Sequence, residues 1–198
     1  VTYALHPFLT IAPLRMERLH KKPRVRLIHD FLSENEIEYL KNISKVQVSG
    51  RNSTCKRTSK VAWISDAESA VAARITRRVA ALTGLSTDSD EPLQVVNYGV
   101  GGHTDVHLDA EYCNTTRIMY YTKVVTFSHQ LSDVEMGGAT AFTKLGLTIT
   151  PKKGAALLWF NLHPSGNVNH ATRHGGCPVL FGTKWGKNYI KITIAKKT

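Results

Sequence analysis

A histidine and an aspartate stand close together in the middle of the chain, in the segment His107-Leu108-Asp109. If this segment is extended, both side chains project from the same face, because strand side chains alternate with a period of two. An imidazole nitrogen and a carboxylate oxygen on one face can bind the same cation. A second histidine from a distant segment would complete a face of two histidines and one carboxylate. Such a face is typical of non-haem Fe(II) sites, which keep positions open for substrate and oxygen.

Three later histidines are candidates for that third ligand, namely His163, His170 and His174. His174 lies in the segment 172–178, where a predicted strand is about to turn. Further on, Lys184 could point from a neighbouring strand into the same cavity. A cation in that position would bind an anionic co-substrate.

The same residues also have simpler interpretations. The chain contains nine histidines, so an H-x-D triplet can arise by chance. His170 and His174 have the spacing of a helical metal site, as do His103 and His107, but the glutamate of H-E-x-x-H is absent and paired glycines precede His103. Lys184 could equally be a surface charge. The residues alone leave two interpretations open, a metal site or ordinary polar loop histidines.

Two helices are predicted in the first half of the chain, and both carry end signals. Ser33 is a good N-cap, with Glu36 placed to complete a capping box, and the helix is expected to run from there to about Ile43. The second helix is expected at 67–82, where apolar residues recur on one face, and Gly84 is placed to end it as a C-cap. These helices can support a sheet, but they carry none of the candidate ligands.

From residue 93 onward, short runs rich in Val, Ile, Thr, Tyr and Phe alternate with Gly, Asn, Asp and Pro. Strands at such turn-marked intervals favour a sandwich or jelly roll over alternating β/α units. Earlier in the chain, the polar stretch 49–59 is expected to be a loop. The predicted strands lie at 93–98, 118–127, 139–142, 147–149, 155–160, 179–181 and 189–194.

The chain of 198 residues has the length of one domain. We expect a lead-in arm at 1–20, helical support at 21–92 and a β-rich core at 93–198, all within a single domain spanning 1–198. Because the first residue is Val rather than Met and no signal peptide is visible, we also expect a processed chain or a piece of a longer one.

The composition is that of a globular protein. Hydrophobic residues make up 42% and charged residues 21%, which argues against disorder, collagen-like repeats and disulfide-dense miniproteins. The longest apolar run, at 155–160, is far shorter than the roughly 20 residues of a spanning helix, so no membrane span is expected.

The excess of 26 basic residues over 15 acidic ones suggests binding to nucleic acid, but the basic residues are scattered and lack zinc-finger spacing or interleaved aromatics. We therefore expect solvated surface charge and no nucleic-acid partner.

The cysteines and asparagines bear on the cellular compartment. Cys55, Cys113 and Cys177 are an odd number of cysteines without a C-x-x-C motif, so at least one stays unbridged within the chain. N-x-S/T sequons favour a secretory chain, and they begin at Asn42, Asn52 and Asn114.

Several segments, taken in order, resemble the catalytic domain of the collagen prolyl 4-hydroxylase α subunit. The likeness extends over roughly residues 13–190, and long motifs in one order are more specific than any single motif. The matching segments are Lys22-Pro23-Arg24, LQVVNYGVGG at 93–102, His107-x-Asp109, GGATAF at 137–142, PKKG at 151–154, WFNL at 159–162, TRH at 172–174, CPVL at 177–180 and Gly182-x-Lys184-Trp185.

The resemblance implies an α+β, mainly β fold, a double-stranded β-helix (jelly roll) with supporting N-terminal helices. It implies Fe(II) as cofactor, 2-oxoglutarate and O2 as co-substrates, and ascorbate to rescue over-oxidised iron. By matching positions, His107, Asp109 and His174 are the iron ligands. Lys184 then pairs with the distal carboxylate of 2-oxoglutarate, and the Tyr98 hydroxyl helps to hold it.

The implied reaction is the procollagen-proline type of 4-hydroxylation of a peptidyl proline. The substrate would be a proline-containing or collagen-like peptide, and protein disulfide isomerase is a candidate partner subunit. The implied location is the lumen of the endoplasmic reticulum.

The chain departs from the family pattern along the substrate wall. Thr104 stands where the family usually has a tyrosine that packs on the target proline, and Ile190 and Ile192 replace a tryptophan and a histidine of the peptide groove. Tyr120 stands, by the same alignment, where a threonine often contacts 2-oxoglutarate, and the tail lacks the usual cysteine that could pair with Cys177. These departures predict weak or altered activity on collagen-like Pro-Gly repeats. The alternative is a catalytically weak or inactive paralogue that acts as a peptide-binding module.

Overall fold

The described part of the chain is built mainly from strands. The computed structural model describes residues 7–47, 51–54, 57–86, 92–110 and 120–195. Its helices are α1 (Pro7–Ile11), α2 (Glu34–Gln47), α3 (Ala70–Thr83) and a 3₁₀ helix at His170–Thr172. Its strands are β1 (Met16–His20), β2 (Val25–Ile28), β3 (Arg51–Thr54), β4 (Arg57–Ile64), β5 (Leu93–Tyr98), β6 (Thr104–His107), β7 (Tyr120–Gln130), β8 (Met136–Gly137), β9 (Thr140–Phe142), β10 (Leu147–Ile149), β11 (Ala156–Phe160), β12 (His174–Gly176), β13 (Val179–Phe181) and β14 (Lys184–Ala195).

Both predicted helices form, and their end signals act as expected. The Ser33 N–H donates to the Glu36 carboxylate over 3.0 Å and the Glu36 N–H donates to the Ser33 hydroxyl over 3.3 Å, which is the predicted capping box. α3 begins later than predicted because Ser69, whose hydroxyl accepts from the N–H of Ala72 over 3.1 Å, is its N-cap. Gly84 ends α3 in the left-handed conformation, at φ 70°. Among the described residues, no helix has both the length and the apolar character needed to cross a membrane.

The prediction of a loop at 49–59 is wrong. β3 and β4 form an antiparallel hairpin there, with Arg51 opposite Lys60 and Thr54 opposite Arg57. Among the described strands β3 pairs with β4 alone, and an edge strand of this kind needs no buried apolar face. A polar edge strand therefore lacks the alternating hydrophobic pattern from which strands are predicted.

The strands form two facing layers. The first has the order β1-β2-β11-β7-β14-β5-β4 and the second has the order β6-β12-β9-β10. Among the described residues, one pair of Cα partners, Arg57 and Thr104, joins β4 of the first layer to β6 of the second. Phe142 of β9 packs edge-on against Trp159 of β11 with the ring centroids 5.3 Å apart, so the layers enclose a shared interior. This arrangement is the jelly roll, and it confirms the predicted fold class.

Apolar side chains fill the space on both sides of the first layer. In β11, Ala156 and Leu158 face the helices, whereas Leu157 and Trp159 face the second layer, as strand alternation requires. We call the space between the helices and the first layer the helix-side core. It consists of Ile28, Phe31, Leu32, Ile37, Leu40, Ile64, Ala72, Ile75, Val79, Leu93, Val95, Val125, Phe127, Leu131, Ala156 and Leu158.

An ion pair ties the two long helices together over this core. Arg78 of α3 donates to the two carboxylate oxygens of Glu36 over 2.9 and 3.1 Å and to the backbone carbonyl of Phe31 over 2.6 Å. Burial alone would raise the pKa of Glu36, but its hydrogen bonds with Arg78 and Ser33 outweigh burial and lower it. The carboxylate that caps α2 therefore stays charged and also holds α3 in place.

Lys187 of β14 lies entirely within the helix-side core. It stands opposite Val95, a member of that core, and it is 0% exposed. Its Nζ has no hydrogen-bond partner among the described residues. Burial lowers the pKa of Lys187 well below 10.5, although Asp66 and Glu36 act in the opposite direction. At neutral pH the unfolded chain therefore binds this proton more readily than the folded chain, and the lysine reduces stability.

We predict that Lys187→Met raises the free energy of unfolding at neutral pH by about 1–4 kcal/mol, because an apolar side chain of similar volume replaces a buried amine. Since the folded-state pKa is lowered, the wild type gains stability as the pH rises toward 10.5, and its deficit relative to the variant should narrow. Urea unfolding at a series of pH values measures both effects. The exposed Lys152→Met is the control and should change stability by less than about 0.5 kcal/mol. A Lys187→Met protein less stable than the wild type would contradict the assignment of an unpaired buried amine.

Candidate active site

Antiparallel pairing places two of the candidate histidines side by side. His107 at the end of β6 and His174 at the start of β12 are Cα partners, and their ring centroids lie 4.6 Å apart. Residues directly opposite each other in antiparallel strands point to the same face, so both rings enter the same space. Asp109 follows β6 and reaches both rings. Its Oδ1 lies 3.3 Å from His107 Nε2, and its Oδ2 lies 3.7 Å from His174 Nε2.

These three side chains form a candidate metal cluster. One ligand atom from each of His107, Asp109 and His174 lies within 4.8 Å of the other two. Within the part of the chain that the structure describes, no other group of three His, Cys, Asp or Glu side chains has this geometry. His163 and His170, the other candidates for the third ligand, are exposed and lie outside the cluster. The register of β6 with β12 therefore selects His174.

Backbone carbonyls fix the tautomer of both histidines. His107 Nδ1 lies 2.8 Å from the carbonyl oxygen of Asp105, and His174 Nδ1 lies 2.9 Å from that of Thr172. Because a carbonyl oxygen can only accept, each Nδ1 carries a proton, and each Nε2 has a lone pair with which it can bind a metal. A backbone carbonyl on the second ring nitrogen is the usual way in which proteins orient metal-binding histidines.

The protonation states also suit a metal site. Burial is the main cause that lowers the pKa of His174, with Asp109 acting against it, so the ring is neutral at neutral pH. Burial would raise the pKa of Asp109, but the neighbouring imidazoles of His107 and His174 and the hydrogen bond from the Thr126 hydroxyl outweigh burial, and the pKa is lowered. Two imidazole nitrogens and one carboxylate oxygen that converge in this way are a donor set that fits Fe(II).

Aromatic rings hold His174 in its orientation. The ring centroid of Trp159 lies 4.7 Å from that of His174, and the centroid of Phe142 lies 5.4 Å from it. His174 is only 7% exposed, whereas the side chain of His107 is 26% exposed. The cluster therefore has one side packed in the interior between the layers and one side that opens toward solvent.

The predicted co-substrate residues lie together on β14 and β5. Lys184 is buried, and its ammonium donates to the carbonyl oxygen of Gly138 over 2.7 Å and lies 5.8 Å from the centre of the Tyr98 ring. The Tyr98 hydroxyl forms a 2.9 Å hydrogen bond with the Thr104 hydroxyl at the start of β6, the strand that carries His107. Burial lowers the pKa of Lys184 to about 8, while Cys177 acts in the opposite direction. Lys184 is thus a buried cation held by a backbone carbonyl, not a surface charge.

The remaining substrate-wall residues are described in their backbone alone. Ile190 and Ile192 lie in β14 opposite Thr126 and Lys123 of β7, and Tyr120 is the first residue of β7. Their side chains lie outside the described residues. The thiol of Cys177 is free, and Cys55 and Cys113 lie outside the described residues.

Two further residues reach the cluster and were not predicted as site residues. The Thr126 hydroxyl donates to Asp109 Oδ2 over 2.6 Å, and the Asn161 side-chain amide donates to the Thr126 hydroxyl over 2.8 Å. The alignment that placed Tyr120 at a threonine position overlooked Thr126 in the same strand. The available signal was a polar residue between the apolar Val125 and Phe127, which places Thr126 on the opposite face of β7.

The fold and this site together define a class of protein. The sequence model of the 2OG-Fe(II) oxygenase superfamily matches residues 93–190, a segment that includes the whole metal cluster and Lys184. Residues 93–190 of the chain belong to the 2OG-Fe(II) oxygenase superfamily.

Within this superfamily the chain is similar to prolyl 4-hydroxylases. It is 39% identical to prolyl 4-hydroxylase subunit alpha-1 of Rattus norvegicus over 92% of this chain and 37% of that protein. It is 40% identical to prolyl 4-hydroxylase subunit alpha-3 of Mus musculus over 92% of this chain and 36% of that protein. Among solved structures, it matches the 2OG complex of the viral collagen prolyl hydroxylase from Paramecium bursaria Chlorella virus-1, with a TM-score of 0.73 and 25% identity over 84% of this chain and 94% of that one. The resemblance predicted from the sequence is confirmed, and the chain spans little more than a third of the length of its curated relatives.

We predict that His107→Ala abolishes Fe(II) binding with little change in thermal stability, because the partly exposed imidazole supplies a ligand and little buried area. Anaerobic calorimetric titration with Fe(II) and a thermal melt measure the two effects. His103→Ala is the matched control, since His103 lies just upstream, is bonded to the carbonyl of Gly101 and lies outside the cluster. Retained Fe(II) affinity in the His107 variant would contradict the site.

Proposed function

We propose that the chain is the catalytic domain of an Fe(II)- and 2-oxoglutarate-dependent dioxygenase that hydroxylates peptidyl proline at C4. The convergence of His107, Asp109 and His174, with Nδ1 of both histidines bonded to a backbone carbonyl, supports this most directly. When bound, Fe(II) supplies the oxygen chemistry that protein side chains lack, so that one oxygen atom enters the proline and the other enters succinate, with release of CO2. Similarity to proteins named prolyl 4-hydroxylases supports proline as the target.

In this proposal separate side chains of the site bind the metal and 2-oxoglutarate. His107, Asp109 and His174 hold the metal on one face and leave its other positions open to O2 and 2-oxoglutarate. Lys184 binds the distal carboxylate of 2-oxoglutarate, because its ammonium uses one of its donors on Gly138 and keeps others for an anion. We assign the second contact with 2-oxoglutarate to Tyr98, whose ring centre lies 5.8 Å from the ammonium and whose hydroxyl is bonded to Thr104.

The wider setting belongs to the same proposal. We take residues 1–198 as one domain, in which 1–92 support the core at 93–198, because α2 and α3 pack on the face of the first layer opposite the cluster and β1, β2 and β4 are strands of that layer. Ascorbate would restore over-oxidised iron. The relatives are named as alpha subunits, which supports a partner subunit such as protein disulfide isomerase, and the sequons support the lumen of the endoplasmic reticulum.

One observation favours the second candidate function, a weak or inactive paralogue that binds peptides. Thr104 stands where the resembled enzymes have a tyrosine that packs on proline, and its hydroxyl is engaged with Tyr98 instead. Aromatic packing is worth about 0.5–1.5 kcal/mol beyond area burial, so its loss weakens the peptide site and leaves the metal site intact.

We predict that Lys184→Ala weakens 2-oxoglutarate binding by about 30-fold or more and leaves Fe(II) binding nearly unchanged. The variant removes the buried cation that pairs with the distal carboxylate, but it removes no metal ligand. Anaerobic titration of the Fe(II)-loaded protein with 2-oxoglutarate measures the first effect, and titration with Fe(II) measures the second. The exposed Lys152→Ala is the control and should bind both as the wild type does. Unchanged 2-oxoglutarate affinity in the Lys184 variant would refute its role.

We predict that the wild type hydroxylates a collagen-like Pro-Gly repeat slowly. The Thr104→Tyr variant should bind that peptide about 2- to 13-fold more tightly, which corresponds to about 0.5–1.5 kcal/mol of aromatic packing. Mass spectrometry of the peptide and parallel measurement of succinate report on hydroxylation and on coupling. Fast, coupled hydroxylation by the wild type would show that the missing aromatic is unimportant. Peptide binding without hydroxyproline, under conditions where Fe(II) and 2-oxoglutarate both bind, would establish the peptide-binding alternative.

A further inference from the structure

A chain of two buried hydrogen bonds ends on the candidate metal ligand Asp109. Asn161, which follows β11, donates from its side-chain amide to the Thr126 hydroxyl over 2.8 Å, and Thr126 of β7 donates to Asp109 Oδ2 over 2.6 Å. Asn161 is 1% exposed and Thr126 is 4% exposed. Three segments that are distant in sequence thus meet in one polar line within the interior between the layers.

The direction of both hydrogen bonds follows from the donors available. A threonine hydroxyl has one proton and two lone pairs, and an amide nitrogen can only donate. Asn161 therefore occupies a lone pair of the Thr126 oxygen, and the single hydroxyl proton is left for the carboxylate. A hydrogen bond to a charged acceptor is about twice as strong as one between neutral groups, and 2.6 Å is a typical length for an O–H···O⁻ bond.

Asn161 is also connected to the other side of the cluster through its backbone. Its carbonyl oxygen accepts from the N–H of Asn169 over 2.8 Å, and the carbonyl of Asn169 accepts from the Thr172 hydroxyl over 2.7 Å. The carbonyl of Thr172 in turn accepts from His174 Nδ1 over 2.9 Å. The residue that directs Thr126 onto Asp109 thereby belongs to the loop that orients His174.

We propose that Thr126 and Asn161 are positioning residues for the metal centre, a claim that rests on the proposed function. Thr126 holds the carboxylate of Asp109 in one orientation by occupying a lone pair of Oδ2, and Asn161 directs the Thr126 proton toward it. The carboxylate is thus held with Oδ1 beside His107 Nε2 and Oδ2 beside His174 Nε2. Without this hydrogen bond the side chain of Asp109 gains rotational freedom, which the metal must remove on binding.

The test is the affinity for Co(II), an air-stable metal that accepts the same donor set, measured by calorimetry with the visible absorption spectrum of the bound ion as a second readout. Thr126→Val keeps the shape and removes the hydroxyl, and it should weaken Co(II) binding by about 10- to 100-fold and alter the spectrum. Thr126→Ser keeps the hydroxyl and should restore affinity to within a few-fold of the wild type. Asn161→Leu should weaken binding less than Thr126→Val, because the hydroxyl can still reach Asp109 but is no longer directed.

Thr76→Val is the matched control. The buried Thr76 hydroxyl of α3 donates to Asp66 over 3.0 Å, so this variant removes a Thr–Asp hydrogen bond of the same kind in the helical part of the chain. It should bind Co(II) as the wild type does, whatever its effect on urea unfolding. Wild-type affinity in Thr126→Val, or equal losses in the Ser and Val variants, would overturn the positioning role. Failure of the wild type to bind Co(II) or Fe(II) at all would instead overturn the proposed function, and this inference with it.

Discussion

The site depends on the register between β6 and β12. Because His107 and His174 are direct partners in an antiparallel pair, their rings are brought together by backbone hydrogen bonding rather than by contacts of their own. The glycines that follow His174 allow this close approach, since a Cβ on Gly175 would lie 3.1 Å from the carbonyl oxygen of Thr104. A shift of one residue in this register would turn one imidazole to the opposite face and leave Asp109 with a single histidine. The metal ligands are therefore a property of the sheet.

The two polar regions of the interior follow different rules. Around Asp109, a hydrogen bond from the Thr126 hydroxyl compensates the buried charge, the rings of His107 and His174 lie beside the carboxylate, and it stays ionised. In the helix-side core, Lys187 has no hydrogen-bond partner for its amine among the described residues, and burial lowers its pKa instead. A buried ionisable group either acquires partners or loses its charge. In the interior between the layers the carboxylate of Asp109 has such partners, so it stays ionised and can bind a cation.

Sequence reasoning reached those parts of the fold and site that depend on local spacing. The closeness of His107 to Asp109 and the cap at Ser33 depend on local spacing, and both appear in the structure, although β6 ends at His107 and Asp109 follows it. The choice among His163, His170 and His174 required the pairing of distant strands, which no residue pattern contains. β3 was missed for another reason, because it is an edge strand whose polar residues show no hydrophobic alternation. Thr126 was overlooked because the alignment assigned the threonine position to Tyr120, although the polar residue between Val125 and Phe127 was a local signal.

The junction between the two layers has a mechanical consequence. Within the described residues, Arg57 and Thr104 are the sole partner pair between β4 and β6, whereas β4 and β5 share five such pairs, from Lys60–Asn97 to Ile64–Leu93. Five paired residues hold two strands in register more firmly than one pair does, so the junction of β4 with β6 constrains the two layers less than the pairing of β4 with β5 does. Thr104 lies at that junction and is bonded to Tyr98 beside Lys184. The weakest strand pairing between the layers therefore lies next to the residues proposed to bind 2-oxoglutarate.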